Sequence, residues 1–173
     1  MPMYWIPSQA GTLPFQNVAM DLITGLLERR NHNAILTIVD QRCSRATVFL
    51  PCNMTITGAG IAQLYFDNVV WWFGIPKKII SDRDPRFISH FRKVLATKLG
   101  MNQNLSTVFH PQTDGLLECK NQWVEQYLCL VTSAVPEDWD RWLMTVSAVH
   151  NNWKNQMTSL SPNQILIGYD IPL

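Results

Sequence analysis

The sequence predicts an α/β fold, a five-stranded mixed sheet flanked by helices, and two observations lead there. Segments 15–27, 34–40 and 45–50 are apolar and rich in β-branched residues, and briefer runs of the same kind recur at 78–81 and 103–107. The stretches 57–73, 87–99, 113–134 and 137–153 instead carry helical spacing of their apolar residues. Three strands, a helix, a strand and then mostly helices is the order of a sheet covered by helices on its faces.

In chain order, residues 1–12 contain Pro, Gly and Ser without periodicity and are expected to be an extended lead-in to a single domain over 13–173. The first strand is interrupted by Asp21. The second reads Ala34-Ile35-Leu36-Thr37-Ile38-Val39-Asp40, a central strand, with Asp40 expected to organise the turn around 41–44. The third is expected to stop at Pro51, because proline cannot donate to a ladder. Thr57 is placed to cap the first helix and Gly74 to end it, with Ile61, Leu64, Tyr65, Val69 and Trp72 along one side. A short buried strand, Lys78-Ile79-Ile80-Ser81, runs into Asp82, and Gly100 stops the next helix. The long helix 113–134 has an apolar stripe of Leu117, Val124, Leu128 and Val131. Trp139, Trp142, Leu143, Val146 and Val149 mark the following helix, and Ser161-Pro162 opens a last short one with proline at its first position. The tryptophans Trp71, Trp72, Trp139, Trp142 and Trp153 are expected to serve core packing rather than base stacking.

Composition narrows the function classes. With 173 residues, 47% hydrophobic and 16% charged, the chain is long enough for a substantial core and too apolar for disorder. No apolar run approaches the ~18 residues of a membrane span. The formal charge of +1 implies modest non-specific affinity for nucleic acid by itself. A metal-dependent site can still bind phosphate, since bound cations supply the positive charge. Cys43, Cys52, Cys119 and Cys129 lack Cys-x-x-Cys spacing, and His32, His90, His110 and His150 form no zinc-like pair. The cysteines therefore read as thiols in a reducing compartment.

Three acids stand out: Asp21, Asp82 and Glu118, with positions 83 to 117 between the last two. A lone acid in a strand is ordinarily a surface or turn residue. Asp21, however, sits among Val18, Met20, Leu22 and Ile23, where an ionised carboxylate is costly unless paired or metal-bound. Asp82 follows Ile79-Ile80 and reads either as a turn acid or as a ligand at a strand end. Glu118 shares a polar helix face with Asn121, Gln122 and Glu125, which either meets solvent or looks toward the strand acids. Carboxylates on separate elements can converge on two divalent cations about 3.5–4 Å apart, a common way to attack phosphodiesters. Asp84 competes with Asp82 but lies two positions further past the strand end. Arg83, Arg86, Arg92 and Lys93, with Lys77 and Lys78, are placed for phosphate contact, although a solvated helix face explains Arg92 and Lys93 equally well.

Together with His110-Pro111-Gln112-Thr113-Asp114-Gly115, Asn121-Gln122, Val39-Asp40, Ser161-Pro162-Asn163 and Gly168, these acids resemble the catalytic core of retroviral and retrotransposon integrases, the gypsy type in particular, over positions 13 to 168. The resemblance implies a ribonuclease-H-like fold. It further implies Asp21, Asp82 and Glu118 as catalytic ligands of Mg²⁺ or Mn²⁺ in a two-metal site, catalysing 3′-end processing and DNA strand transfer. Gln112 and Asn121 would then touch nucleic acid near the scissile bond, beside Arg83 and Arg86. The implied partners are DNA, with RNA as a second nucleic-acid candidate, and further copies of the chain. The implied location is the nucleus, with no membrane role.

The chain departs from the family at several positions. Leu116-Leu117 stand where polar residues are common, Cys119 where arginine is common, Phe15 where tryptophan is usual, and His150-Asn151 where Tyr-Asn is usual. No counterpart of the family's zinc-binding or basic flanking modules occurs in these 173 residues, so an isolated core is expected. Two functions stay open at this level. Intact acids favour an integration enzyme, while the missing modules and Leu116-Leu117 favour a non-catalytic nucleic-acid-binding or interaction module. Generic ribonuclease H activity is a weaker third reading.

Overall fold

The computed structural model describes residues 13–81, 85–100, 139–155 and 158–173. Strands β1 (Asn17–Ile23), β2 (Ala34–Asp40), β3 (Thr47–Cys52) and β4 (Lys78–Ile80) form a mixed sheet in the order β3-β2-β1-β4. β1 and β3 run antiparallel to β2, whereas β4 runs parallel to β1. Four strands are thus present among the described residues. The expected fifth, 103–107, lies outside them, as do the lead-in 1–12 and the helix expected over 113–134.

Two strand boundaries differ from expectation, each for a backbone reason. β1 is shorter than 15–27 because Phe15 (φ 55°) and Gly25 (φ 84°) both adopt left-handed backbone, which no strand accommodates. Pro51 does not end β3: it lies inside the strand, opposite Ile35. β3 is the edge of the sheet, and an edge strand has one side on which a missing N–H costs no ladder bond.

Helix α1 (Gly58–Tyr65) starts where Thr57 Oγ1 accepts the Gly60 amide at 3.2 Å. It runs into a π-helical turn, residues Phe66–Val70, then a last turn, α2 (Trp71–Phe73), that stops at Gly74 with φ 75°. The π-turn overturns the reading of Trp72 as a core residue. One extra residue in a turn rotates everything beyond it by roughly 100° at 3.6 residues per turn, so regular spacing no longer predicts the buried side. Ile61, Tyr65 and Val69 are buried as expected, but Trp71 and Trp72 are 77% and 80% exposed. Trp142 and Trp153 are exposed as well, which leaves Trp139 as the described member of the five that packs in the core.

Helices α3 (Pro85–Lys98), α4 (Trp139–Asn151) and α5 (Pro162–Ile167) complete the described elements. α5 opens with a capping box in which the Ser161 hydroxyl accepts the Gln164 amide, the Gln164 side chain accepts the Ser161 amide, and Pro162 follows the cap. It closes on Gly168 in left-handed backbone. No helix among the described residues is long and apolar enough to cross a membrane.

Alternation along the strands sends side chains to two cores. Val18, Met20, Leu36, Ile38 and Leu50 join Ile61, Tyr65, Phe91 and Leu95 on the α1/α3 face. Ile23, Ile35 and Phe49 meet Trp139, Leu143 and Val146 of α4 on the other. Each fully buried aliphatic or aromatic side chain contributes about 1.5–3 kcal/mol, so the sheet is clamped from both sides. Trp139 also donates its indole N–H to the Leu27 carbonyl at 2.9 Å, tying α4 to the chain leaving β1. The Asp40 carboxylate, wholly buried, accepts the amides of Arg42, Cys43 and Ser44 and the Ser44 hydroxyl. It organises the turn as the sequence predicts, and those bonds occupy it structurally.

Candidate metal centre

Asp21 lies in the second half of β1, a strand whose neighbours Val18, Ala19 and Met20 are buried. Its carboxylate is half-buried, and Oδ1 accepts the amide of Leu22 at 2.8 Å. That short local bond holds one oxygen at the backbone and restricts the rotamers of the group. Ala19, two positions earlier, is in parallel register with Ile80 of β4, itself two positions before Asp82 in the sequence. The C-terminal ends of adjacent parallel strands are where α/β sheets commonly present ligands.

A cleft opens at this end. It is lined by Met20, Leu22, Ile61 and Phe91, with Asp21 and Ser81 as its polar members. Ser81 is the last described residue before Asp82. On the opposite strand, the register partner of Asp21 is Thr37, completely buried, whose hydroxyl meets no hydrogen-bond partner among the described residues. Sequence reasoning counted Thr37 only as a β-branched strand former. The available signal was a hydroxyl in a run that is otherwise apolar from Ala34 to Val39.

Of the expected site residues, Asp21 alone is described with its side chain. Asp82, Arg83, Gln112, Glu118 and Asn121 lie outside the described residues, and Arg86 falls in the first turn of α3. Among the described residues no group of three or more His, Cys, Asp or Glu side chains comes together. Asp40 is removed from contention as a ligand by its turn-forming bonds. Arg92 fits neither of its expected roles. It is 5% exposed, and burial pushes its guanidinium pKa down from the ordinary value, whereas Lys93 faces solvent. His150 is buried edge-on against Phe49 with ring centroids 5.9 Å apart. Cys43 is half-buried and Cys52 buried.

Comparison with known proteins gives two consistent results, although no family model matches the chain. The Tf2-3 and Tf2-4 transposon polyproteins of Schizosaccharomyces pombe are each 35% identical over 156 residues, covering 90% of this chain. The chain spans 12% of the length of these relatives. Among solved structures, the simian T-cell lymphotropic virus intasome in complex with PP2A regulatory subunit B56 gamma superposes with a TM-score of 0.69 at 18% identity, over 93% of this chain and 57% of that one. The HTLV-2 integrase catalytic core domain in complex with magnesium, in its dimeric form, gives 0.65 at 18% identity, over 90% of this chain and 98% of that one. The neighbours establish the ribonuclease-H-like fold of integrase cores.

Proposed function

We propose that this chain, which belongs to the integrase catalytic cores of gypsy-type LTR retrotransposons, is the metal-dependent polynucleotidyl transferase of DNA integration. The observation that carries the reading is the placement of Asp21. Asp21 stands half-buried in the second half of β1, and the residue borders one cleft with Ser81, which precedes Asp82 in the sequence.

Asp21, Asp82 and Glu118 would hold two Mg²⁺ or Mn²⁺ ions. The donors fit, since carboxylate oxygens suit hard cations. When bound, the ions supply Lewis acidity that makes a water or a 3′-hydroxyl nucleophilic and stabilises the leaving oxygen. The chain's own part is positional. The Leu22 amide fixes one oxygen of Asp21, and the parallel register of β1 with β4 ends two positions before Asp21 in one strand and two positions before Asp82 in the sequence. Gln112, Asn121, Arg83 and Arg86 would line the DNA path. DNA is the substrate, which sets the work in the nucleus. The dimeric and trimeric forms of the HTLV-2 core support self-association of this chain too. The proposal does not extend to RNA.

Reversal of strand transfer on a branched DNA substrate asks little of flanking domains, and Mn²⁺ tolerates looser geometry than Mg²⁺. The expected result is weak Mn²⁺-dependent activity in the wild type that falls more than about 100-fold in Asp21→Asn and in Glu118→Gln, with folding unchanged. A wild type as inactive as both variants, while all three bind DNA, would replace the enzyme with a binding module.

A further inference from the structure

Thr37 is fully buried in β2, and its hydroxyl meets no hydrogen-bond partner among the described residues. A buried polar group left unsatisfied is costly, and native structures retain few of them. Its register places it directly opposite Asp21, and alternation puts both on the sheet face that carries Ile23, Ile35 and Phe49. Directly opposed residues on one face have Cβ atoms about 4.5–5.5 Å apart, within reach of a hydroxyl-to-carboxylate hydrogen bond after a rotamer change. Asp21 already commits Oδ1 to the Leu22 amide, and a carboxylate that ligates a cation usually has its remaining lone pairs hydrogen-bonded as well.

We propose that Thr37 is a positioning residue for the metal site: its hydroxyl donates to the Asp21 carboxylate when that group turns to bind a divalent cation, and so fixes the ligand's orientation. The inference rests on Asp21 being a metal ligand. It gives a buried hydroxyl in a strand core a reason to be there that packing does not, since valine would fill the same volume without an unpaired donor. Thr37 touches neither substrate nor the reacting atoms. Its influence would pass through Asp21 alone.

Mn²⁺ titration of the whole chain tests this, followed by calorimetry or by the resonance signal of free Mn²⁺, with melting recorded in the absence of metal. Thr37→Val should bind Mn²⁺ about 10-fold more weakly than wild type or worse, as loss of an outer hydrogen bond to a ligand commonly does. Thr37→Ser should restore affinity, and metal-free Thr37→Val should melt no lower than wild type. In the Asp21→Asn background, Thr37→Val should produce no further loss. If Thr37→Val does not fold, Thr37→Ala, which also lacks the hydroxyl, is read in the same way. Equal affinity of wild type and Thr37→Val overturns the positioning role while leaving the metal site standing. A loss that serine fails to restore, with a lowered metal-free melting point, makes Thr37 structural and also overturns it. A wild type that binds no Mn²⁺ overturns the proposed function, and the role of Thr37 with it.

Discussion

Ala19 of β1 lies beside Ile80 of β4 in parallel register. Each precedes an acid by two positions, Asp21 in one strand and Asp82 in the sequence following the other. Parallel strands advance in step at about 3.3 Å per residue, so equal spacing past a shared row is how two separate segments can deliver carboxylates to one end of a sheet. Asp84 lacks this property, since it stands four positions past Ile80.

The choice of Asp82 over Asp84 is therefore measurable. Clustered carboxylates repel one another without metal, and a cation that binds only the folded state raises its stability by mass action. At about 100 times its dissociation constant the gain is about 2.7 kcal/mol. Mn²⁺ should raise the melting temperature of wild type and of Asp84→Asn alike, and should do so far less for Asp82→Asn. Calorimetric melting with and without Mn²⁺ reads this directly, and equal shifts in all three proteins would mean that the cation binds elsewhere.

The π-turn makes a prediction about tryptophan. Trp72 is 80% exposed, so Trp72→Ser should change stability by no more than about 0.5 kcal/mol. Trp139 is buried against Leu143 and Val146 and donates to the Leu27 carbonyl, so Trp139→Ala should cost about 3–5 kcal/mol. Urea midpoints of the two variants settle it. A large loss for Trp72→Ser would restore the packed reading that regular helical spacing suggests.

Tyr65 should reveal itself at alkaline pH. Burial, and secondarily the Asp40 carboxylate, push its phenol pKa above the ordinary value of 10.0. The folded chain thus keeps a proton that the unfolded chain gives up. Its contribution is complete below about pH 10 and is lost as pH rises beyond that value, at about 1.4 kcal/mol per pH unit for one proton. Tyr65→Phe should flatten the alkaline limb of a stability profile by that amount. Since the Tyr65 hydroxyl meets no hydrogen-bond partner among the described residues, the variant should be at least as stable at pH 7. An unchanged alkaline slope would show that Tyr65 ionises as freely in the folded chain as in the unfolded one.

Local chemistry was legible in the sequence wherever a single residue decides the backbone. Thr57 and Ser161 cap helices, Gly74 ends one, and Asp40 builds its turn, because each acts through bonds to amides a few positions away. β2 was read with its exact bounds, since an uninterrupted β-branched run leaves little choice. Features that depend on a neighbour escaped. Pro51 is tolerated because β3 is an edge, which only the strand order reveals. Trp71 and Trp72 face solvent because a π-turn breaks the period on which their burial was argued. Arg92 is buried on a helix whose composition suggested a solvated face. At the site, motif resemblance singled out Asp21, and the structure added its cleft and its bond to Leu22, but Thr37 could be found only through cross-strand register.

The central claim is that Asp21, Asp82 and Glu118 share two metal ions, and anomalous scattering from a Mn²⁺-soaked crystal tests it most directly. The account predicts two peaks about 3.5–4 Å apart at the C-terminal end of β1, with oxygens of all three carboxylates bound to them. Peaks distant from Asp21, or any one of the three acids more than about 10 Å from the other two, beyond what a two-metal site tolerates, would contradict it.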